Sequence, residues 1–350
     1  MKGIERYIVK ESALLLLPNC RMSINPLFLH VMLNELNIQN FRLFKQFHLK
    51  GLRRVNLFAG KNNTGKTALL EALRIIAANA HVTVVNNIIA GRGQLIPGLE
   101  ESYESLFNRE EISKQQAGTN LEIILGPISI QRILKPNNTP QKVTFYLDLS
   151  NSGEWGSHIP FDHPKDGCVY VPFGSESSFP IKELWDRIVL TPAEDDVIRI
   201  LDETILPGIK RIDIREDRTL VRLKEEAAPL PLKNLGDGAN RILYLAIALV
   251  SSKGKMLLID EIEAGLHHSV QEQLWSLIFH YSKLWDIQVF VTTHSQDTVR
   301  TFTYLLEQPG NADLGAYFRL QKAHKSDDIE AIPYDLERLE TALESKLEPR

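Results

Sequence analysis

At 350 residues, 43% apolar and 24% charged, the chain has the composition of a globular protein with one large core or two modest ones, which excludes a disordered or fibrous polymer. A formal charge of −4 leaves nucleic-acid contact to local basic patches. Two isolated cysteines, Cys20 and Cys168, exclude a disulfide scaffold and a cysteine zinc site, and suit a cytoplasmic location.

No apolar run approaches the ~20 residues of a membrane helix, so no membrane partner is expected. Ala13–Leu17 stops at Pro18-Asn19 without a small-residue cleavage pattern, which makes a poor signal peptide. Strand patterning begins only at Met32. Residues 1–31 therefore read as an N-terminal extension, with Met32 or Met22 as the native start; a genuine N-terminal arm is the other reading.

From Met32 the apolar residues Leu33, Leu36 and Ile38 lead into Asn40-Phe41-Arg42, and Phe47 and Leu49 mark a second short strand. Val55–Ala59 is a buried strand running into a glycine-rich turn, and Ala68–Ala78 is rich in helix formers. Residues 79–118 read as loop with a helical piece near Tyr103–Phe107. Asn120–Leu125, Ile128–Leu134 and Lys142–Leu149 read as half-buried antiparallel strands. The turn-rich stretch Asn151–Asp166 marks a boundary between two lobes of one head, 32–350.

Beyond it the pattern predicts a strand at Cys168–Phe173, helices at Ile181–Leu190 and Ala193–Leu206, and strands at Ile209–Ile214 and Leu220–Leu223. Helix Ala239–Val250, strand Met256–Ile259, helix Ser269–Trp285 and strand Gln288–Val291 then alternate. That alternation implies an α/β fold with a parallel-strand core, beside the antiparallel β lobe and inserted helices. The tail Ile329–Arg350 reads as a charged C-terminal helix.

Gly60-Lys61-Asn62-Asn63-Thr64-Gly65-Lys66-Thr67 matches the phosphate-binding loop G-x-x-x-x-G-K-[ST] in its strand–turn–helix context. The glycines let backbone N–H groups converge on phosphates, and the helix N-terminus adds its positive dipole end. Lys66 is expected to bridge the β- and γ-phosphates of ATP, and Thr67 to hold Mg²⁺. Lys255–Glu261 is an apolar strand ending in two acids, the Walker B pattern. Asp260 is the expected Mg²⁺ partner and Glu261 the general base toward water. The next strand ends in Thr292-Thr293-His294-Ser295, where His294 is placed to sense the γ-phosphate. Upstream, Gly236-Asp237-Gly238 opens an apolar helix, either as a second anion-binding device or as a plain helix start.

The ordered set resembles the ABC-type ATPase heads of the SMC/RecF/OLD superfamily, and looks most like its compact AAA-type (AAA_15/AAA_21-like) ATP-binding proteins. The matching stretches are Leu36–Arg42, Gly60–Thr67, Leu235–Arg241, Leu258–His267 and Thr292–Ser295. The resemblance implies that Arg42 lies near the phosphates and that Leu235-Gly236-Asp237-Gly238 is the signature segment, closing on ATP held by the partner of a head-to-tail homodimer. Gly236 stands where the family has serine, which implies slow hydrolysis. Ala264-Gly265-Leu266-His267 takes the D-loop position. Gln94, Gln115, Gln116 and Gln131 are all open as the Q-loop residue. The 169-residue step from Thr67 to Gly236 has neither heptads nor a CxxC, and the 56 residues after His294 lack an E…D-x-D set, so coiled-coil arms and a TOPRIM nuclease domain are absent.

Two functions follow: an ATP hydrolase that acts through dimerisation on an effector protein or DNA, in repair or phage defence, or an ATP-gated scaffold with negligible turnover. The basic sets Lys50, Arg53, Arg54 and Lys210, Arg211, Arg215, Arg218 are the candidate DNA patches. A transporter subunit would need an unambiguous Q-loop and a signature serine, and a GTPase N-K-x-D; none of these is evident in the chain.

Overall fold

The structure, a computed structural model, describes residues 32–78, 82–92, 105–106, 108, 124–134, 139–148, 167–173, 181–215, 218–266, 268–324 and 326–344. The extension 1–31, the stretch 151–166, His267, and Gln94, Gln115 and Gln116 lie outside these residues, as does most of the segment around Tyr103–Phe107. The chain forms two compact units. The first comprises Met1–Leu52, Asn63–Gly167 and Leu320–Ala331; the second comprises Arg53–Asn62, Cys168–Arg319 and Ile332–Arg350.

In the first unit, β1 (Leu33–Phe41), β2 (Phe44–Lys50), β4 (Ile124–Leu134) and β5 (Thr139–Asp148) form an antiparallel sheet in the order β2-β1-β4-β5. Alternation drives it: Leu36, Ile38 and Phe41 of β1 and Phe44, Phe47 and Leu49 of β2 are all buried, with Ile38 opposite Phe47 and Phe41 opposite Phe44. Of the expected strand Asn120–Leu125 only Ile124 and Leu125 are among the described residues; they join the expected strand Ile128–Leu134 in β4, with an irregularity in register between Leu125 and Ile128 around Gly126-Pro127. Helix α1 (Lys66–Ala77) packs on β4 and on α2 (Val82–Gly91), a helix inside the span expected to be loop. Its Val82-Thr83-Val84-Val85 start is β-branched and masks the helical period.

The second unit is built on β3 (Val55–Ala59), β6 (Cys168–Val171), β10 (Met256–Ile259) and β11 (Gln288–Thr293). With β12 (Gly315–Lys322) and β13 (Ile329–Tyr334) they give a six-stranded sheet in the order β13-β12-β3-β11-β10-β6. The pairs β6–β10, β10–β11, β11–β3 and β3–β12 are parallel. Helices cover such a sheet on its faces, so β3, β10 and β11 are buried at every position.

The covering helices are α3 (Ile181–Ile188), α4 (Pro192–Thr204), α5 (Asp237–Ser251), α6 (His268–Leu284), α7 (Gln296–Glu307) and α8 (Leu336–Glu344). Thr191 caps α4 by accepting from Ala193 N–H, with Pro192 at its first position. On α6, Leu274, Trp275, Ile278, Phe279 and Tyr281 are buried. A small antiparallel sheet, β7 (Ile209–Ile214), β8 (Thr219–Leu223) and β9 (Leu230–Pro231), completes the unit.

The C-terminal helix expected over 329–350 is corrected. Residues Ile329–Tyr334 form β13 beside β12, and the helix starts only at Leu336. Pro333 cannot sit inside a helix, and Asp335 starts α8 by accepting from Arg338 N–H at 2.9 Å.

Candidate active site

The glycine-rich loop leaves β3 at Gly60 and turns into α1 through Asn63 and Gly65, both at positive φ (62° and 87°). A Cβ on Gly65 would stand 3.0 Å from the Phe44 ring, so the β1–β2 hairpin packs against the turn and only glycine fits there. Thr64 and Lys66 are buried, and Gly65 O accepts from Leu69 N–H at 2.8 Å. No side chain caps α1 at Gly65, and its first turn contains no acid, so this helix start suits a phosphate.

Arg42 is the turn residue between β1 and β2, at φ 54°. Its side chain is 5% exposed: Nε donates to Glu71 Oε2 on α1 at 3.1 Å, and Nη1 donates to Ser105 O at 2.8 Å. Glu71 also takes Arg92 through Oε1 at 2.6 Å. Burial pulls the Arg42 guanidinium below its ordinary basicity, with Glu71 opposing. Arg42 is thus tied to the helix that begins at Lys66, through a carboxylate five residues further on.

In the second unit the parallel register sets Ile259 opposite Val291, and Thr293 opposite Ala59. The residues after β10, β11 and β3 therefore leave from one sheet edge, where ligands of open α/β sheets bind. Asp260 is 3% exposed, and its Oδ1 accepts from the Thr292 hydroxyl. The same Thr292 oxygen accepts from Glu261 N–H at 2.9 Å, so one hydroxyl orders both acids. Glu261 adopts φ 50°, and its Oε2 meets His294 Nδ1.

Two residues without an assigned role from sequence complete the cluster. Glu263 Oε1 accepts from the N–H groups of His294 and Ser295 at 3.0 and 3.1 Å, and lies 3.2 Å from His294 Nδ1. Arg241, on the first turns of α5, donates through Nη2 to Asp260 O at 3.1 Å and Glu261 O at 3.3 Å, and through Nη1 to Pro172 O at 3.0 Å. Burial lowers its basicity, while Asp260, Glu263 and Tyr170 oppose that shift. The third acid after Asp260-Glu261 was a visible sign of Glu263; the reach of Arg241 depends on tertiary packing.

The segment expected to be the signature opens α5, with Gly236 at φ 92°, ψ 162°. A Cβ at Gly236 would meet nothing within 4 Å, and Leu235 beside it is 40% exposed. Gly238 lies against Gly265, whose carbonyl oxygen would be 3.3 Å from an added Cβ. Gly238 and Gly265 are thus neighbours within one chain. Asp237 is the first residue of α5.

In the first unit Thr67 brings a hydroxyl to the start of α1, and in the second Asp260 brings a buried carboxylate to the end of β10; each is a hard oxygen donor of the kind that Mg²⁺ takes. Glu261, Glu263 and His294 bring three donor atoms within 4.8 Å of one another, but all three groups are already engaged in the contacts above.

A parallel sheet with a glycine-rich loop after one strand and an Asp-Glu pair after another defines a P-loop ATPase. The family described as "AAA domain, putative AbiEii toxin, Type IV TA system" matches residues 55–300, and the chain belongs to that AAA_21 family. It is 23% identical over 369 residues to the ATP/GTP phosphatase of Helicobacter pylori, a match covering 90% of this chain and 99% of the relative. Among solved structures it resembles the SMC head bound to the C-terminal winged-helix domain of ScpA (TM-score 0.51, 13% identity, 87% of this chain and 98% of that one). It also resembles the Pyrococcus furiosus Smc head with an extended coiled coil (TM-score 0.51, 12% identity, 90% and 99%). At these identities the likeness is one of fold.

Among the described residues no helix is long and apolar enough to cross a membrane.

Proposed function

We propose that the chain hydrolyses ATP·Mg²⁺ within a head-to-tail homodimer and uses the closure to drive a partner effector, in DNA repair or phage defence. The observation that carries this reading is the Thr292 hydroxyl ordering Asp260 and Glu261 together while Glu261 faces His294. Lys66 and the N–H groups of Gly60, Asn62, Asn63, Thr64 and Gly65 take the phosphates, with Arg42 supporting them through α1. Thr67 and Asp260 hold Mg²⁺, Glu261 accepts the proton of the attacking water, and His294 contacts the γ-phosphate. The name of the Helicobacter pylori relative, an ATP/GTP phosphatase, supports nucleotide hydrolysis and makes GTP a necessary second substrate to assay.

The dimer rests on Gly236, Asp237 and Gly238: a helix start without a side-chain cap, with space where a side chain would stand and an exposed Leu235 beside it. Light scattering of the Glu261→Gln protein tests it. ATP·Mg²⁺ should double the mass seen without nucleotide; an unchanged mass argues against closure.

For DNA, the two basic sets differ. Arg54 is held by Asp286 at 2.9 Å, and Arg53 by the carbonyl oxygen of Ala312 at 2.6 Å. On the β7–β8 ribbon, Arg211 stands opposite Arg222, both exposed, with Lys210 and Arg218 exposed nearby. Like charges facing across a strand pair are unfavourable without an anion, so this ribbon is the proposed contact. Binding of duplex DNA in ATP should weaken steeply with salt and fall in Arg211→Glu.

The second reading, an ATP-gated scaffold with little turnover, is favoured by Gly236, which offers no hydroxyl to a partner's γ-phosphate.

A further inference from the structure

Strand β10 ends in a turn that brings two carboxylates, not one, to the end of β11. Ile262 is buried between them and is fixed by its N–H to Thr292 O at 3.2 Å. The chain then folds back, with Ala264 N–H on Glu261 O and Leu266 N–H on Glu263 O, both at 3.0 Å, and with Gly265 at φ 72°. The flanking acids Glu261 and Glu263 consequently converge on one imidazole nitrogen, Nδ1 of His294. Glu263 makes the larger investment in that residue. Its Oε1 also accepts the backbone N–H groups of His294 and Ser295, and its side chain is 11% exposed against 52% for His294.

An ionised carboxylate can only accept, so a ring nitrogen between two of them carries the proton. We propose that Glu263 is the positioning residue of the site: together with Glu261 it fixes His294 as the Nδ1–H form. The other nitrogen, Nε2, is thereby turned away from the acids and presented to the nucleotide. This rests on the proposed contact of His294 with the γ-phosphate. The groups facing Glu263 are Glu261, His294 and the Thr293 hydroxyl, with Arg241 nearby, and Glu263 Oε1 sits on the His294 backbone N–H.

The test is long-range ¹H–¹⁵N correlation NMR on the full chain labelled at histidine nitrogen, with the His294 signals assigned by their loss in His294→Asn. Wild-type protein without nucleotide should show Nδ1 protonated, and Glu263→Gln, which keeps an acceptor for the backbone N–H groups but loses the charge, should shift the ring toward Nε2–H. In parallel, Glu263→Gln should lower kcat for ATP about tenfold or more with little change in KM, and Glu263→Asp should restore part of it. A bare Nδ1 in the wild type, or Glu263→Gln indistinguishable from it in tautomer and kcat, overturns the proposal and leaves Glu263 a structural cap. If the wild type has no turnover at all, the hydrolase reading fails, while the spectrum still decides the Glu263–His294 relation. Should Glu263→Gln not fold, the wild-type spectrum still decides, since a bare Nδ1 there overturns the proposal.

Discussion

The Thr292 hydroxyl donates to Asp260 Oδ1 and accepts from the N–H next in sequence, so the end of β11 dictates how the end of β10 presents its acids. Thr292 is fully buried. Thr292→Val keeps the shape and removes the hydroxyl. Taking one partner from a buried carboxylate and one from a buried N–H costs about 1–3 kcal/mol. Thermal unfolding should register that loss, and kcat for ATP should fall further than KM rises. Wild-type stability and kcat in this variant would remove Thr292 from the site.

A second prediction concerns the ion pairs on α1. Glu71 is 5% exposed at its side chain and neutralises Arg42, which is equally buried. Removing one partner of a buried pair leaves an uncompensated charge, worth about 3–5 kcal/mol. Glu71→Ala should therefore lower the denaturant midpoint far more than Arg92→Ala, whose side chain is 37% exposed. Equal effects would mean that Arg42 relaxes into water.

Gly65 carries a separate prediction. Its φ of 87° and the Phe44 ring 3.0 Å from an added Cβ act together. Left-handed backbone alone costs a non-glycine residue about 1–2 kcal/mol. Gly65→Ala should weaken binding of a fluorescent ATP analogue by about tenfold or more, since each 1.4 kcal/mol is a factor of ten. Unchanged affinity would show that the turn accommodates a methyl group.

Stability should also depend on pH through Glu263. Burial, reinforced by Glu261, pushes its carboxyl above the ordinary range, against hydrogen bonds from His294 N–H and Thr293. A raised carboxyl pKa means that ionisation costs the folded state more than the unfolded chain. The penalty is absent below the ordinary carboxyl value and is complete above the raised one. The unfolding temperature of Glu263→Gln relative to wild type should therefore climb as pH rises from about 4.5 toward neutrality. A difference that stays flat or falls would contradict the shift.

Much of this was readable in advance because the core elements are strongly patterned. Val55–Ala59, Met256–Ile259 and Gln288–Val291 are continuous apolar runs, and parallel strands buried on both faces must read that way. The loop Gly60–Thr67 and the pair Asp260-Glu261 follow such strands directly. Helix α2 escaped because its first residues favour strands, and the C-terminal helix was placed too early because Ile329-Glu330-Ala331-Ile332 was not read as a strand ahead of Pro333. Helix α7 and β12 went unassigned after His294, although Ser295 caps α7 by accepting from Thr298 N–H. Glu263, Arg241 and Glu71 owe their roles to partners 19 or more residues away in sequence, which no local period reports.

The most direct measurement is steady-state phosphate release by the wild-type chain with ATP·Mg²⁺ and with GTP·Mg²⁺, beside Asp260→Asn and Glu261→Gln. Hydrolysis at this site predicts turnover in the wild type and its loss in both variants, with Glu261→Gln still binding nucleotide. No release from the wild type, or undiminished release from Asp260→Asn, would contradict it.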